Sequence, residues 1–179
     1  MELELRKINL VPENDPVLFI SPTVWDFDNP QFDPKQFNIL MLENMVVHEG
    51  LGLSANQIGI PFQVFAMRVD DDDHAIVCYN PNIVKESEES ISMKEGCLSY
   101  PNLFLNIWRS KEVVVEYQNA DGEMVDAHFD GLAARVFQHE MDHMKGNTFL
   151  PKVSKFALQS ARKKQRILLR KEKRNGRTN

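Results

Sequence analysis

Apolar residues recur along the chain with two different periods. From Pro34 the spacing of Phe37, Leu40, Met41, Met45 and Val46 follows one face of a helix, and the Gly50-Leu-Gly52 breaker ends it. Four shorter runs, 62–69, 75–79, 112–117 and 124–129, read as strands, and Asn119-Ala-Asp-Gly122 supplies turn chemistry for a hairpin between the last two. Helical spacing returns at Gly131 and runs to Gly146, where a glycine suits a helix end because it takes positive φ without a Cβ clash. A third helix is predicted from Lys152 to about Arg174, with Phe156, Leu158, Ile167, Leu168 and Leu169 interleaved among Lys and Arg and a frayed end. Residues 1–34 hold five of the nine prolines and predict extended chain and loop, and Asp70–Asp73 reads as a solvated loop rather than a metal site. No repeat is present. The pattern predicts an α+β domain of antiparallel strands packed on helices.

Composition sharpens this picture. With 179 residues, 42% of them hydrophobic, the chain can bury one ordinary core, so a single domain is expected. No stretch approaches the roughly 18 consecutive apolar residues of a membrane span, and the N-terminal Met-Glu-Leu-Glu-Leu-Arg has no signal or transit character, which predicts a cytoplasmic protein that does not engage a membrane. The net charge of −5 conceals a split: residues 151–179 carry 11 Lys or Arg against Glu172 alone, a balance of +10, and the rest carries 10 basic against 25 acidic residues, a balance of −15. A basic tail on an acidic body suits an anionic partner such as the ribosome, without implying recognition of a nucleic-acid sequence; a solvated helix end would look the same. Two cysteines exclude a disulfide framework. Cys78 lies in an apolar run and reads as a buried thiol, whereas Cys97 sits in a polar, turn-like setting that invites chemistry.

The strongest chemical signal is Gln138-His-Glu-Met-Asp-His-Met-Lys-Gly146 in the second helix. At about 100° per residue, His139 and His143 share a face, so two imidazoles can converge on one metal ion. Glu140 is offset from them and placed to act as general base on a water, the geometry of hydrolytic HExxH sites. Catalytic sites keep three protein ligands and one open position. A metzincin would place its third histidine where this chain has Phe149, and a thermolysin-like ligand would be a downstream acid, but only Glu172 follows His143. Cys97 remains as a good candidate, its thiolate suiting zinc or iron. Glu95 and Asp142 are candidates to orient the ligands from behind; either could instead cap a turn or pair with Arg135.

A second signal is Gly50-Leu-Gly-Leu-Ser-Ala-Asn-Gln57, where small residues allow close approach of backbone to a ligand; a helix-terminating turn explains the glycines equally well. Taken in order, this segment, Glu95-Gly-Cys-Leu-Ser99 and Gln138-His-Glu-Met-Asp-His143 resemble the three signature motifs of peptide deformylases. The resemblance extends from about residue 35 to 150, with Tyr79-Asn-Pro81 as a strand end and Gly131–Arg135 as the entry to the metal helix.

This resemblance implies antiparallel strands packed around a central metal-binding HExxH helix, with residues 1–150 as the catalytic part and 151–179 as a basic C-terminal helix and tail of the same domain. It implies that Cys97, His139 and His143 bind one divalent ion, ferrous iron in many members, with zinc, nickel and cobalt suiting the same donors. Glu140 would serve as general base and then general acid, Gln57 and the Leu98 N–H would hold the developing oxyanion, and Leu51 and Gly52 would align the substrate backbone. The substrate would be an N-formyl-methionyl nascent peptide, with release of formate, and the basic helix would dock on the ribosome. Ser54 departs from the family's usual alanine and is expected near the oxyanion site. The segment 101–108 is unusually apolar for a loop and fits either a methionine pocket or core. Two rivals compete: a relative with a changed amide substrate, which fits the same residues, and a non-catalytic or ribosome-associated module with a structural metal, which would need a closed four-ligand site where only Cys97, His139 and His143 are supported, so that an open fourth position favours catalysis.

Overall fold

A computed structural model describes residues 7–70 and 74–175, so residues 1–6, 71–73 (all but the first of the Asp70–Asp73 run) and 176–179, Arg177 of the basic tail among them, lie outside the described residues. Helix α1 (Pro34–Val47) begins where the Asp33 carboxylate accepts the Gln36 amide at 2.9 Å, with Pro34, which has no amide hydrogen to satisfy, in the first turn. It stops at Glu49, held at φ 56°, and Gly50, whose N–H donates back to the Met45 carbonyl. The strands that follow are β1 (Gly52–Ser54), β2 (Val64–Arg68), β3 (Ala75–Glu86), β4 (Ser90–Cys97), β5 (Tyr100–Ser110), β6 (Glu112–Gln118) and β7 (Met124–Asp130), and two helices close the chain, α2 (Gly131–Met144) and α3 (Lys155–Asn175).

Five strands form one antiparallel sheet in the order β1-β2-β3-β6-β7. Alternation along β2 and β3 divides their side chains between two cores. Phe65, Met67 and Cys78, with Val113 and Val115 of β6, pack against Phe137, Met141 and Met144 of α2. Val64, Ala66, Val77 and Tyr79 face α1 and Trp25 on the other side. Burial on both faces is why these strands read as unbroken apolar runs rather than alternating ones. The acidic segment 25–33 is anchored here: the Trp25 ring lies 4.9 Å from that of Phe37 and 5.1 Å from that of Tyr79, and its backbone exchanges two hydrogen bonds with the Asn80 side chain.

Three expectations change. Strand β3 does not end at Tyr79-Asn-Pro81 but continues to Glu86 across a bulge, where Asn80 takes φ 49° and Pro81 needs no ladder donor. Residues 101–108 are not a loop: β4 and β5 form a separate antiparallel ribbon. Its inner residues Leu103, Leu105 and Ile107 are buried with Phe149 and capped by Leu158 and Ala161 of α3, while Phe104 and Trp108 point outward. Helix α3 starts at Lys155 rather than Lys152, because residues 150–152 form a 3₁₀ turn and the Ser154 hydroxyl accepts the Ala157 amide at 3.2 Å. The stop after α2 falls as predicted at Gly146, φ 64°, where a Cβ would sit 2.6 Å from the Ile20 backbone.

Candidate metal centre

The site forms where α2 crosses between the sheet and the ribbon. His139, Glu140 and His143 project from α2, Cys97 ends β4 after a register shift at Gly96, and Gln57 sits in the 3₁₀ turn Ala55–Ile58 that follows β1. Ligand atoms of Cys97, His139 and His143 all lie within 4.8 Å of one another, and Cys97 Sγ is 3.4 Å from His143 Nε2. A tetrahedral ion with bonds of about 2.3 Å to sulfur and 2.0–2.1 Å to nitrogen holds its ligands roughly 3.5 Å apart, so the donors fit such an ion with little movement. One thiolate and two imidazoles suit iron, zinc, nickel or cobalt.

Behind His139 lies a buried ionic network. Its Nδ1 pairs with Glu95 Oε1 at 2.5 Å, which turns Nε2 toward Cys97. Arg109 grips Glu95 with two hydrogen bonds, at 2.6 and 2.9 Å, and reaches Asp142 at 2.9 Å, while Arg135 approaches Glu95 at 3.3 Å and donates to the carbonyls of Ile91 and Ile107. Burial pushes the Glu95 carboxyl up, but hydrogen bonds from Arg109 and His139 outweigh it and hold the group well below the usual carboxylate range. His139 is pushed down by burial, yet hydrogen bonds to Cys97 and Glu95 outweigh this and raise it above the ordinary imidazole value. His143 differs: burial lowers it to about 3, and its Nδ1 has no protein hydrogen-bond partner among the described residues.

Glu140 is 3% exposed, and burial raises its carboxyl above the ordinary value. The Ser54 hydroxyl donates to its Oε2 at 2.6 Å. The Ser54 amide donates to Gln57 Oε1 at 2.9 Å, which leaves Gln57 Nε2 pointing at Ser99 Oγ, 3.0 Å, and Cys97 Sγ, 3.3 Å. Leu51, Gly52 and Leu98 line the same cleft of about 500 Å³ as Gln57, Cys97, His139 and Glu140, and β5 contributes residues 100–104 to its wall. The apolar segment 101–108 thus serves both pocket and core. A larger groove of about 920 Å³ between residues 10–13 and α3 shares Leu98 with the cleft but contains no member of the metal triad.

Sequence spacing did not anticipate Arg109, the centre of the network. Its signal was present: in β5 it shares the parity of Leu103, Leu105 and Ile107, so a strand there would have put a charge on the buried face. Asp142, next to His143 in sequence, turns instead to Arg109 and Lys152, the latter at 3.1 Å.

Comparison with known proteins converges on one family. The profile of the polypeptide deformylase family matches residues 8–159. The peptide deformylase of Thermotoga maritima is 41% identical over 132 residues, 74% of either chain, and that of Aquifex aeolicus 40% identical over 137 residues, 74% of this chain and 80% of that one. A crystal structure of peptide deformylase from Thermotoga maritima is similar with a TM-score of 0.77 at 36% identity, covering 83% of this chain and 99% of that one. One from Legionella pneumophila reaches 0.83 at 27% identity over 94% and 99%. The chain therefore belongs to the peptide deformylase family, metal-dependent hydrolases that remove the N-formyl group from nascent peptides.

Proposed function

We propose that Cys97, His139 and His143 hold one ferrous ion and that Glu140, Gln57 and the Leu98 N–H carry out the proton transfer and charge stabilisation of deformylation. One observation supports this above the rest: three soft-metal donors converge within 4.8 Å beside a buried carboxylate, in a cleft open to a peptide. When bound, the ion supplies Lewis acidity at the formyl carbonyl and the attacking water. Leu51 and Gly52 align the substrate backbone, and the methionine side chain takes the apolar wall near Leu132, Val136 and Phe104. Glu140 accepts a proton as water adds to the formyl carbon. Gln57 Nε2 and the Leu98 N–H donate to the oxygen that gains charge, each contributing on the order of 2.7–4 kcal/mol. Glu140 then returns its proton to the departing amine nitrogen, and formate and a free N-terminus are released.

A nascent-chain substrate suits a cytoplasmic protein working beside translating ribosomes, with residues 1–150 and the basic helix acting as one domain. Helix α3 presents Lys163, Lys164, Arg166, Arg170 and Lys171 to solvent, a surface suited to ribosomal RNA phosphates. Reversing Lys163, Lys164 and Lys171 to Glu is expected to weaken salt-sensitive ribosome binding and leave tripeptide turnover intact; unaltered binding overturns the docking role.

The test of the site is formate release from formyl-Met-Ala-Ser by protein purified anaerobically and loaded with ferrous iron, with zinc, or treated with chelator. Turnover is expected only with metal. Glu140→Ala should retain one ion per chain and lose turnover by about 10²–10⁴-fold, whereas Cys97→Ala should lose the ion. Full activity in Glu140→Ala would remove it from the mechanism. A bound ion with no turnover on formyl-Met, but turnover on another acylated amine, would favour a changed substrate.

A further inference from the structure

The reaction proposed above requires one proton to pass through Glu140 in both directions, which a carboxylate performs best when one oxygen is fixed and the other is presented to the reacting atoms. Strand β1 is built to do this. Ser54 is fully buried, and its hydroxyl donates to Glu140 Oε2 at 2.6 Å, within the short range of charge-assisted O–H···O⁻ bonds. Two residues earlier, a Cβ added to Gly52 would lie 2.4 Å from Glu140 Oε1 and 2.9 Å from its Cδ, so the other oxygen rests directly against the strand and within the cleft. The strand is itself held in place: Gly52, Leu53 and Ser54 pair with Met67, Ala66 and Phe65 of β2, and the Ser54 amide is bonded to Gln57 Oε1.

We propose that Ser54 is a positioning residue for deformylation: its hydroxyl pins Oε2 of Glu140 and so dedicates Oε1, lying against Gly52, to exchanging the proton with water and the leaving amine. The inference rests on the deformylase reading of the site. Because Ser54 N–H also fixes the amide of Gln57, a single residue couples the proton-transfer group to an oxyanion donor: its hydroxyl sets one and its backbone the other. An alanine at this position would keep the backbone contact and lack the hydroxyl.

The experiment uses the metal-loaded full chain with Ser54→Ala, Ser54→Cys, which keeps the volume with a poor donor, and Ser54→Thr, which keeps the hydroxyl. Metal content, thermal midpoint, kcat and KM for formyl-Met-Ala-Ser are read for each. Ser54→Ala and Ser54→Cys are expected to bind one ion per chain and keep KM within about twofold while kcat falls about five- to tenfold, with recovery in Ser54→Thr. Unchanged kcat in either hydroxyl-free variant that folds overturns the proposal, as does a raised KM with kcat intact, which would assign the hydroxyl to substrate alignment through β1. The wild-type rate in the same assay reports separately on the deformylase reading, because the inference is carried by the ratio of variant to wild type.

Discussion

The two sides of helix α2 meet their neighbours by different physics. Toward the five-stranded sheet it presents Ala134, Phe137, Met141 and Met144, which interlock with Phe65, Val113, Val115 and Phe129; the Phe65 and Phe137 rings stand edge to face at 5.2 Å. Toward the β4–β5 ribbon it presents Arg135, Gln138, His139 and Asp142, tied by charged hydrogen bonds to Glu95 and Arg109. The apolar side is tolerant of small adjustments and sets where the helix lies. The charged side tolerates little, because each buried ion there is compensated by a specific partner, and it sets how the His139 ring is turned. The same helix thus separates stability from orientation, and the two can be perturbed independently.

Arg109→Ala should have the largest effect. It removes the bidentate partner of Glu95 and one of the two cations on Asp142, leaving Glu95 to His139 and Arg135 and Asp142 to Lys152, with an expected loss of about 3–5 kcal/mol in stability and, through a loosened Glu95, weaker metal retention. Urea unfolding and metal content after dialysis check both, and a variant that holds its ion as tightly as wild type would show that His139 needs no orienting network. Phe137→Ala, on the opposite side, should cost a comparable or smaller amount, about 3–4 kcal/mol, yet the folded, metal-loaded fraction should keep wild-type kcat. A kcat loss equal to that of Arg109→Ala would end the division between the two sides.

The effect of pH in the chelated protein is expected to be smallest near neutrality and to grow on acidification. His143 has its folded value lowered to about 3, so the unfolded chain gains a proton first on acidification, and stability falls as pH drops from the ordinary imidazole value of 6.5 toward that point. Glu95 is depressed, so the stability it contributes is present above the ordinary carboxylate value of 4.5 and is lost as pH falls further. The urea midpoint should therefore decline in two overlapping steps, and Glu95→Gln should flatten the lower one. In a Glu140→Gln background, where the opposing rise of the Glu140 carboxyl is absent, a midpoint insensitive to pH between 6.5 and 4.5 would contradict the buried, neutral state of His143.

Helix α1, the β6–β7 hairpin and α2 were legible in the sequence because their signals are local: apolar residues at helical spacing after Pro34 up to the Gly50 breaker, Asn119-Ala-Asp-Gly122 with Gly122 at φ 79°, and helical spacing ended by glycine at 146. The ribbon was not. Strand β4 carries mostly polar residues, and the apolar alternation of β5 is interrupted by Pro101, Asn102 and Asn106, so the pairing of the two depends on cover from Phe149 and α3 on one part and on the charged side of α2 on another. The asymmetry between His139 and His143 was equally illegible, since one helical turn separates them in sequence while their surroundings come from β4 and β5 in one case and from the buried interior in the other.

The sequence by itself determined the α+β class, the chemistry of the donors and the two histidines on one helix face, because residue type and a fixed helical period suffice for these. Only the tertiary structure decided how closely Cys97, 42 residues away, approaches them, that Arg109 holds the Glu95 behind one histidine, and that the Ser54 hydroxyl donates to Glu140. The physical reason is that a side chain's bonding partner depends on which surfaces are buried against each other, and burial is a property of the whole chain's packing rather than of any segment's spacing.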